Sequence, residues 1–189
     1  MSEISVIARL RVMATDLQLK AYRDEVVSLE PNKRGLLGAS TWRSLEPDGG
    51  VMTIMRYVDS AVAEEALEAL VSSNAGPVVA ALSIDPPDVI LMAPKSNKGK
   101  TFEEIPVGSL LSLAVRVSDP GQQEELELDT DEVLSELSYI PGYLGSYWGN
   151  NVTLNEEILS LVTWANMDAL ESSIPTSHKV KIQRWQKAF

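Results

Sequence analysis

Apolar positions recur along the chain with two periods, one typical of strands and one typical of helices, in successive segments. Residues 4–12 are apolar at every even position, which is the period of a strand. Apolar side chains then recur at spacings of three and four, the period of a helix that Thr15 or Asp16 can cap: Leu19, Tyr22, Val26 and Leu29. Continued to Met92, the same patterns and the turn residues between them predict the order βαββαβ.

The second half of the chain repeats the first at an offset of 107 residues. The segment Gly35-Leu36-Leu37-Gly38 returns as Gly142-Tyr143-Leu144-Gly145, and Tyr57 returns as Trp164. Ungapped alignment of residues 4–60 with their counterparts gives ten identities in 57 positions, including Ser5 with Ser112 and Arg9 with Arg116. Random pairing would give roughly three or four, so a tandem duplication explains the pattern.

The repeat predicts the domain organisation. We expect an α+β chain of two tandem ferredoxin-like βαββαβ repeats, residues 1–93 and 107–189, joined by a polar linker at 94–106. Residue 189 corresponds to residue 82, so the last strand of the second repeat is expected to be missing unless residues 179–185 form it. That segment alternates in part, but one helical face collects Lys181, Ile182, Trp185 and Phe189, which favours a helix.

One sheet face of each repeat must be covered. We expect the uniformly apolar positions of the first repeat to lie under its helices: Ile4, Val6, Ala8, Leu10, Met52 and Ile54. The other face would then carry Ser5, Arg9, Thr53 and Tyr57, with Ser112, Arg116, Ser160 and Trp164 in the second repeat. A half-apolar face of this size is unfavourable in water, so the two sheets are expected to face each other as a single-chain barrel. The chain would be a monomeric pseudo-dimer, or a homodimer paired through a free sheet edge.

Charge and composition exclude several function classes. The net charge of −11 repels phosphate backbones, so nucleic acid is not an expected partner. The chain has no cysteine, which removes disulfides and thiolate chemistry, and no run long enough to span a membrane. The first residues do not form a signal peptide, so we expect a cytoplasmic protein without a membrane partner.

Two segments of the second half resemble a known family. Residues 137–145, which end in Pro141-Gly142-Tyr143-Leu144-Gly145, look like the "helix end, Pro-Gly-aromatic, strand" signature of the dimeric α/β-barrel proteins. The segment Trp164-Ala165-Asn166-Met167-Asp168-Ala169-Leu170, followed by His178, resembles the antibiotic biosynthesis monooxygenase branch. Members are usually homodimers whose two sheets form the barrel, so this chain resembles a fused version.

The resemblance implies a small set of activities. Some members oxidise aromatic phenols without metal or flavin, some cleave haem, and others are isomerases, dehydratases or simple binders. Haem cleavage is disfavoured, because the family pattern needs a first-strand Asn and a His ten residues past the Trp. The first strands carry Arg9 and Arg116, and the position ten residues after Trp164 is Ile174. We therefore expect no cofactor.

Candidate catalytic residues follow from the chemistry of a phenol or carboxylate ligand. Arg9 and Arg116, on strand faces directed into a barrel, would stabilise an anion through charge-assisted hydrogen bonds. The alternative is that each arginine pairs with an acid across the interface between the halves. His178 would act as an acid or base near neutral pH, or lie on the surface beside Lys179.

Further residues are candidates for ligand binding. Small polar and aromatic side chains would line the interior: Ser5, Ser112, Thr53, Ser160, Tyr57, Trp164, Trp148 and Tyr147. The aromatic residues would equally serve as packing, and the sequence contains no carboxylate pair or metal-ligand spacing.

The predicted function is therefore small-molecule binding. The ligand would be aromatic or carboxylated, in a protein that resembles cofactor-independent monooxygenases, and the Trp164 side is the first place to look. The alternative is a non-catalytic binding or scaffold protein with a filled interior. An open cavity of a few hundred Å³ reached by an arginine would favour the ligand, and a closed interior with both arginines ion-paired would favour the alternative.

Overall fold

The chain forms two compact units. The computed structural model describes residues 2–12, 14–47, 50–177 and 181–189. One unit comprises residues 1–91 with 188–189, and the other comprises residues 92–187. Within the described ranges, no helix has the length and apolarity that a membrane crossing requires.

The first unit is an antiparallel sheet with helices on one face. Its sheet has the order β2-β3-β1. Its elements are β1 Ile4–Arg11, α1 Asp16–Ser28, α2 Glu30–Gly35, β2 Leu36–Ser44, β3 Gly50–Tyr57, α3 Ser60–Ser72 and α4 Ala75–Leu82. The Thr15 side chain accepts from the Gln18 backbone N–H and the Gln18 side chain returns the bond, so a capping box starts α1 as predicted.

The second unit contains five paired strands in the order β4-β6-β7-β5-β8. Its elements are β4 Asp88–Gly99, which starts in the first unit, β5 Leu110–Val117, α5 Gln123–Leu137, β6 Tyr143–Asn151, β7 Glu157–Trp164, α6 Met167–Ser177 and β8 Ile182–Lys187. The chain is thus α+β, as the sequence predicts.

The first half of the segment predicted as a linker is a strand. β4 pairs with β6 from Met92 to Gly99, so the first half of residues 94–106 belongs to a sheet. One of the polar side chains that suggested a linker contacts a helix, since Lys98 Nζ lies 2.9 Å from Ser135 Oγ on α5.

The β2–β3 and β6–β7 pairs have the same register at the offset of 107. Leu36 opposes Tyr57, and Tyr143 opposes Trp164. Each pair is irregular directly after this point, where one strand carries an extra residue. These two hairpins are the part of the chain in which the predicted alignment of the halves is residue for residue.

The expectation of a final helix is wrong, because the last segment of the second unit is strand β8. It pairs with β5 from Ala114↔Ile182 to Leu110↔Gln186, so β5 is paired on both sides and the expected free edge does not exist there. Burial alternates along β8, with Trp185 and Lys187 buried and Gln186 exposed. The helical reading fails because Lys187 is an inward-facing position.

A cage of backbone carbonyls holds the Lys187 ammonium group. Lys187 is 6% exposed, and its Nζ lies 2.7, 3.2 and 2.6 Å from the carbonyl oxygens of Phe102, Glu103 and Ile105. A buried ammonium group needs acceptors for its three protons, and the turn after β4 supplies them. This contact links β8 to the segment between the two repeats.

We predict that Lys187→Met destabilises the protein by roughly 2–4 kcal/mol. The substitution keeps the buried stem but leaves three buried carbonyls without their charged donor. Urea unfolding followed by circular dichroism measures the change. Lys20 is exposed on α1, so Lys20→Met serves as the matched control and should stay within about 0.5 kcal/mol of the wild type. Equal effects of the two substitutions would contradict the role of the cage.

Candidate functional site

A row of three residues crosses the sheet of the first unit. Thr41 on β2 opposes Thr53 on β3, and Thr53 opposes Ala8 on β1. Residues directly opposite in antiparallel strands direct their side chains to the same face. Ala8 and Thr53 contact the same space as Tyr22 of α1, so this row lies on the face covered by helices.

The face predicted for β3 is therefore wrong. Thr53 and Tyr57 oppose Ala8 and Ile4, and they share the helix-covered face with them. Met52 and Ile54, which were expected there, lie on the other face. The error arose because both faces of β3 are apolar, so its hydrophobic pattern does not distinguish them.

The first strands of the two units are aligned at an offset of 106, not 107. Ile4 opposes Tyr57, whereas Leu110 opposes Trp164. Arg116 is therefore the counterpart of Leu10, and the predicted matching of Arg9 with Arg116 and of Ser5 with Ser112 is wrong. A shift of one residue moves a side chain to the opposite face of a sheet. Ser112 and Arg116 consequently lie under the helices of their unit, whereas Arg9 lies on the face away from them.

The two units differ in which face of the sheet carries a tryptophan. At the offset of 107, Thr41 corresponds to Trp148 and Trp42 to Gly149. Trp148 opposes Ser160 and packs in the core beneath α5, whereas Thr41 opposes Thr53 at the equivalent place. A Cβ on Gly149 would lie 2.1 Å from the Ala93 carbonyl oxygen, so the second unit has no room for a side chain on that face.

Space remains under the helices of the first unit. A cavity of about 220 Å³ lies between its sheet and helices α1, α3 and α4. Apolar side chains form most of its wall, among them Leu10, Val26, Ala39, Met55, Leu67 and Val89. The cavity is the candidate functional site.

Two hydroxyl groups contribute polarity to this apolar wall. Tyr22 and Thr53 both line the cavity. Burial, with a smaller effect of Glu25, raises the pKa of Tyr22 to about 12. Tyr22 is therefore protonated at neutral pH and acts as a hydrogen-bond donor rather than a base.

Arg23 places a positive charge at the cavity. Its guanidinium carbon lies 5.0 Å from the centre of the Phe189 ring, and its Nη2 lies 3.4 Å from Asp24 Oδ1. Its Nε is buried and has no hydrogen-bond partner among the described residues. The Phe189 backbone is fixed in turn, since the Thr41 N–H donates to its carbonyl oxygen at 2.9 Å.

The equivalent space in the second unit is smaller in the described part of the chain. A pocket of about 30 Å³ lies between the sheet and α5, lined by Ser112, Ala114, Arg116 and Ser160 among others. Trp164 is fully buried, and its Nε1 donates to Ser112 Oγ at 3.1 Å. Trp148 donates from Nε1 to Asp131 at 3.3 Å. Both indoles are packing residues of this core, the alternative considered for strand aromatics.

Both candidate arginines form ion pairs inside their own units. Arg9 pairs with Asp88. Arg116 Nη1 lies 2.5 Å from Asp129 Oδ2, and Arg116 also donates to Thr130 Oγ1. Each carboxylate partner lies in the same unit as its arginine, which differs from the pairing across halves considered above. The larger cavity is lined by neither arginine.

The remaining candidates are placed in cores or lie outside the described residues. Tyr57 is 1% exposed, its hydroxyl lies 3.5 Å from Met55 Sδ, and burial followed by the neighbouring Tyr22 raises its pKa. The Tyr147 ring centre lies 5.3 Å from that of Phe102. Ser5 is fully buried on the face away from the helices. His178 lies outside the described residues.

Sequence reasoning missed Tyr22, Arg23 and Thr41. Tyr22 appeared only as a core position of a helix, which is true of its ring but overlooks its hydroxyl. The available signal was the alignment of the halves, which sets Thr41 against Trp148. A large residue replaced by a small one in a duplicated core marks the half that has space.

The chain is similar to known proteins in structure, whereas comparisons of its sequence give no match. No protein-family model matches the sequence, and no curated protein matches it. A "putative monooxygenase" from Fusobacterium nucleatum shares the structure over 100% of this chain and 93% of its own, with a TM-score of 0.74 and 12% identity. A second, from Lactobacillus acidophilus, covers 100% and 95% with a TM-score of 0.70 and 14% identity. An anthrone oxidase-like protein covers 99% and 92%, with a TM-score of 0.69 and 12% identity.

The chain shares its fold with these solved structures, and the fold expected from the residues around Gly142 and Trp164 is confirmed. At identities of 12% and 14% the likeness shows the fold alone, so the chemistry of the chain must be argued from its own cavity.

We predict that an alanine-to-leucine substitution at equivalent positions destabilises the second unit but not the first. Ala8 and Ala114 are equivalent, since they oppose Thr53 and Ser160. Ala8→Leu adds a side chain to open space and should change the free energy of unfolding by less than about 0.5 kcal/mol. Ala114→Leu overpacks a filled core and should cost roughly 1–3 kcal/mol. Urea unfolding of both variants measures this, and similar losses would contradict the difference in cavity size.

Proposed function

We propose that the first unit binds a small aromatic molecule in its cavity. The observation that supports this most strongly is the volume of about 220 Å³ left where the second unit is filled. Benzene occupies an engineered apolar cavity of about 150 Å³, and drug-sized ligands need roughly 300–1,000 Å³. The cavity therefore suits a molecule of one or two rings.

The charges and hydroxyls at the wall support a ligand that carries an oxygen. Tyr22 is a donor at neutral pH, and Arg23 provides a positive charge beside an apolar surface. Both favour a phenolic or carbonyl oxygen on which negative charge accumulates. Among the candidates predicted from the sequence, Thr53 lines this proposed site.

The two units are proposed to be diverged copies of one ferredoxin-like repeat. The common register of the β2–β3 and β6–β7 pairs, with an irregularity at the same place, supports this. One of the differences between the copies is Trp148 at the position that corresponds to Thr41. On this proposal, one copy keeps a binding cavity and the other stabilises the fold.

Oxidation of the bound ligand by dioxygen is a second candidate function. The structural similarity to proteins named as monooxygenases and to an anthrone oxidase-like protein favours it. A phenol would react with one O2 to give a quinone and water, so no other reductant is needed. The described residues that line the cavity include no carboxylate or imidazole to act as base. The ligand would therefore have to react as an anion formed in solution.

We predict that Thr41→Trp abolishes ligand binding. The new indole would occupy the space that Trp148 fills in the second unit, and 1-naphthol affinity should fall at least about tenfold because the cavity volume is lost. Isothermal titration calorimetry with 1-naphthol measures the affinity.

Leu37→Trp is the matched control for this variant. Leu37 is 48% exposed on the same strand and does not line the cavity, so the same side chain there should leave the affinity unchanged. Binding that survives Thr41→Trp, or no binding to the wild type, would contradict the proposed site.

We predict that any oxygen uptake with 1-naphthol increases with pH. No described side chain in the cavity removes the phenolic proton, so the rate should follow the ionised fraction of the ligand between about pH 7 and about pH 10. Tyr22, with a pKa of about 12, keeps its proton across this range. An oxygen electrode measures uptake, with Thr41→Trp as the blank. A rate that falls as pH rises would contradict the absence of a protein base.

A further inference from the structure

A small side chamber adjoins the cavity of the first unit. It has a volume of about 20 Å³ and shares Leu10, Tyr22 and Thr53 with the larger cavity. Thr41 belongs to its wall, together with apolar side chains of β1, α1 and β3. Three hydroxyl-bearing residues therefore surround a space large enough for about one water molecule, which needs roughly 10–15 Å³.

The Thr41 hydroxyl has no partner in the described part of the chain. Thr41 is 2% exposed, and its Oγ1 is buried without a hydrogen bond. Its backbone groups are satisfied, because its N–H donates to the Phe189 carbonyl and its carbonyl accepts from the Ala188 N–H, both at 2.9 Å. Thr41 opposes Thr53 directly, so the two side chains are neighbours on the same face. An unpaired buried hydroxyl is unfavourable unless something else bonds to it.

The arrangement matches one oxygen atom better than an apolar group. A hydroxyl both donates and accepts, so Thr41 bonds equally well to a ligand hydroxyl or carbonyl oxygen. An apolar substituent in the chamber would leave Thr41 unpaired, whereas an oxygen would also be within the wall formed by Tyr22 and Thr53. The chamber thus differs from the main cavity, which is almost wholly apolar.

We propose that the side chamber receives the oxygen atom of a monohydroxylated or carbonyl-bearing aromatic ligand, and that Thr41 is a specificity-determining residue. The inference rests on the proposed binding function of the cavity. It adds the orientation of the ligand, with the oxygen toward Thr41 and the ring against the apolar wall.

Comparison of naphthalene with 1-naphthol tests the inference, since the two differ by one hydroxyl. Calorimetry gives the affinity for 1-naphthol, and competition gives that for naphthalene. We expect the wild type to prefer 1-naphthol by about tenfold, the size of one well-placed hydrogen bond. Thr41→Val removes the hydroxyl at nearly constant shape and should reduce this preference to less than about twofold, with naphthalene affinity unchanged or raised.

Further variants make the result specific. Thr41→Ser retains a hydroxyl and should retain the preference. If Thr41→Val fails to fold, Thr41→Ala replaces it and should likewise reduce the preference to less than about twofold. Ser118 also has a buried hydroxyl without a partner among the described residues, but it lies in the second unit, so Ser118→Ala should leave the preference unchanged.

The outcomes separate this inference from the proposed function. Equal affinities of the wild type for both compounds, or a preference that survives Thr41→Val, would overturn the role of the chamber while the cavity remains a binding site. Failure of both compounds to bind would overturn the proposed function and this inference with it.

Discussion

Side chains along a strand alternate between the two faces of its sheet, and this constraint underlies the difference between the two units of the chain. A tryptophan at one position of a strand fills the space under the helices, and at the next position it points away from them. The second strand of the first unit has Thr41 toward the helices and Trp42 away from them, whereas the second unit has Trp148 toward its helices and Gly149 away. The displacement of one large side chain by one residue accompanies the difference in free space, which is about 220 Å³ under the helices of the first unit and about 30 Å³ between the sheet and α5 of the second.

Each tryptophan is satisfied where it lies, which makes the exchange stable. Trp42 is fully buried and donates from Nε1 to Ser40 Oγ at 2.8 Å. Trp148 donates to Asp131 on α5 and packs with Leu134 and Leu137. Burial of an indole contributes a few kcal/mol only when its N–H finds a partner. The cavity of the first unit is therefore compatible with a stable fold.

Much of the fold could be predicted from the sequence, because its signals are local. Each of these signals depends on residues that are close in sequence: the cap at Thr15, the helical spacing of α1, and the glycines that precede β2 and β6. Two features depend on contacts distant in sequence and were not predictable. Lys187 is buried because carbonyl groups of the turn at residues 102–105 surround its ammonium group. A lysine at an inward-facing position is not expected from the sequence, so strand β8 was not predicted. β4 continues to Gly99 only because β6 pairs with it.

The site was harder to predict than the fold. Identical residues suggested that Arg9 and Arg116 are equivalent, yet pairing shows that the offset of the first strands differs by one residue. No sequence pattern reports such a shift when both faces of a strand are apolar. The informative difference was at residues 41 and 148, where the two halves disagree rather than agree.

Xenon binding in a crystal tests the central claim, which is that the apolar cavity under the helices of the first unit is much larger than the described space between the sheet and α5 of the second unit. Xenon occupies dry apolar cavities and needs no knowledge of the ligand. The account predicts xenon density between the sheet and helices α1, α3 and α4, and none between the sheet and α5. Density in the second unit, or none in the first, would contradict it.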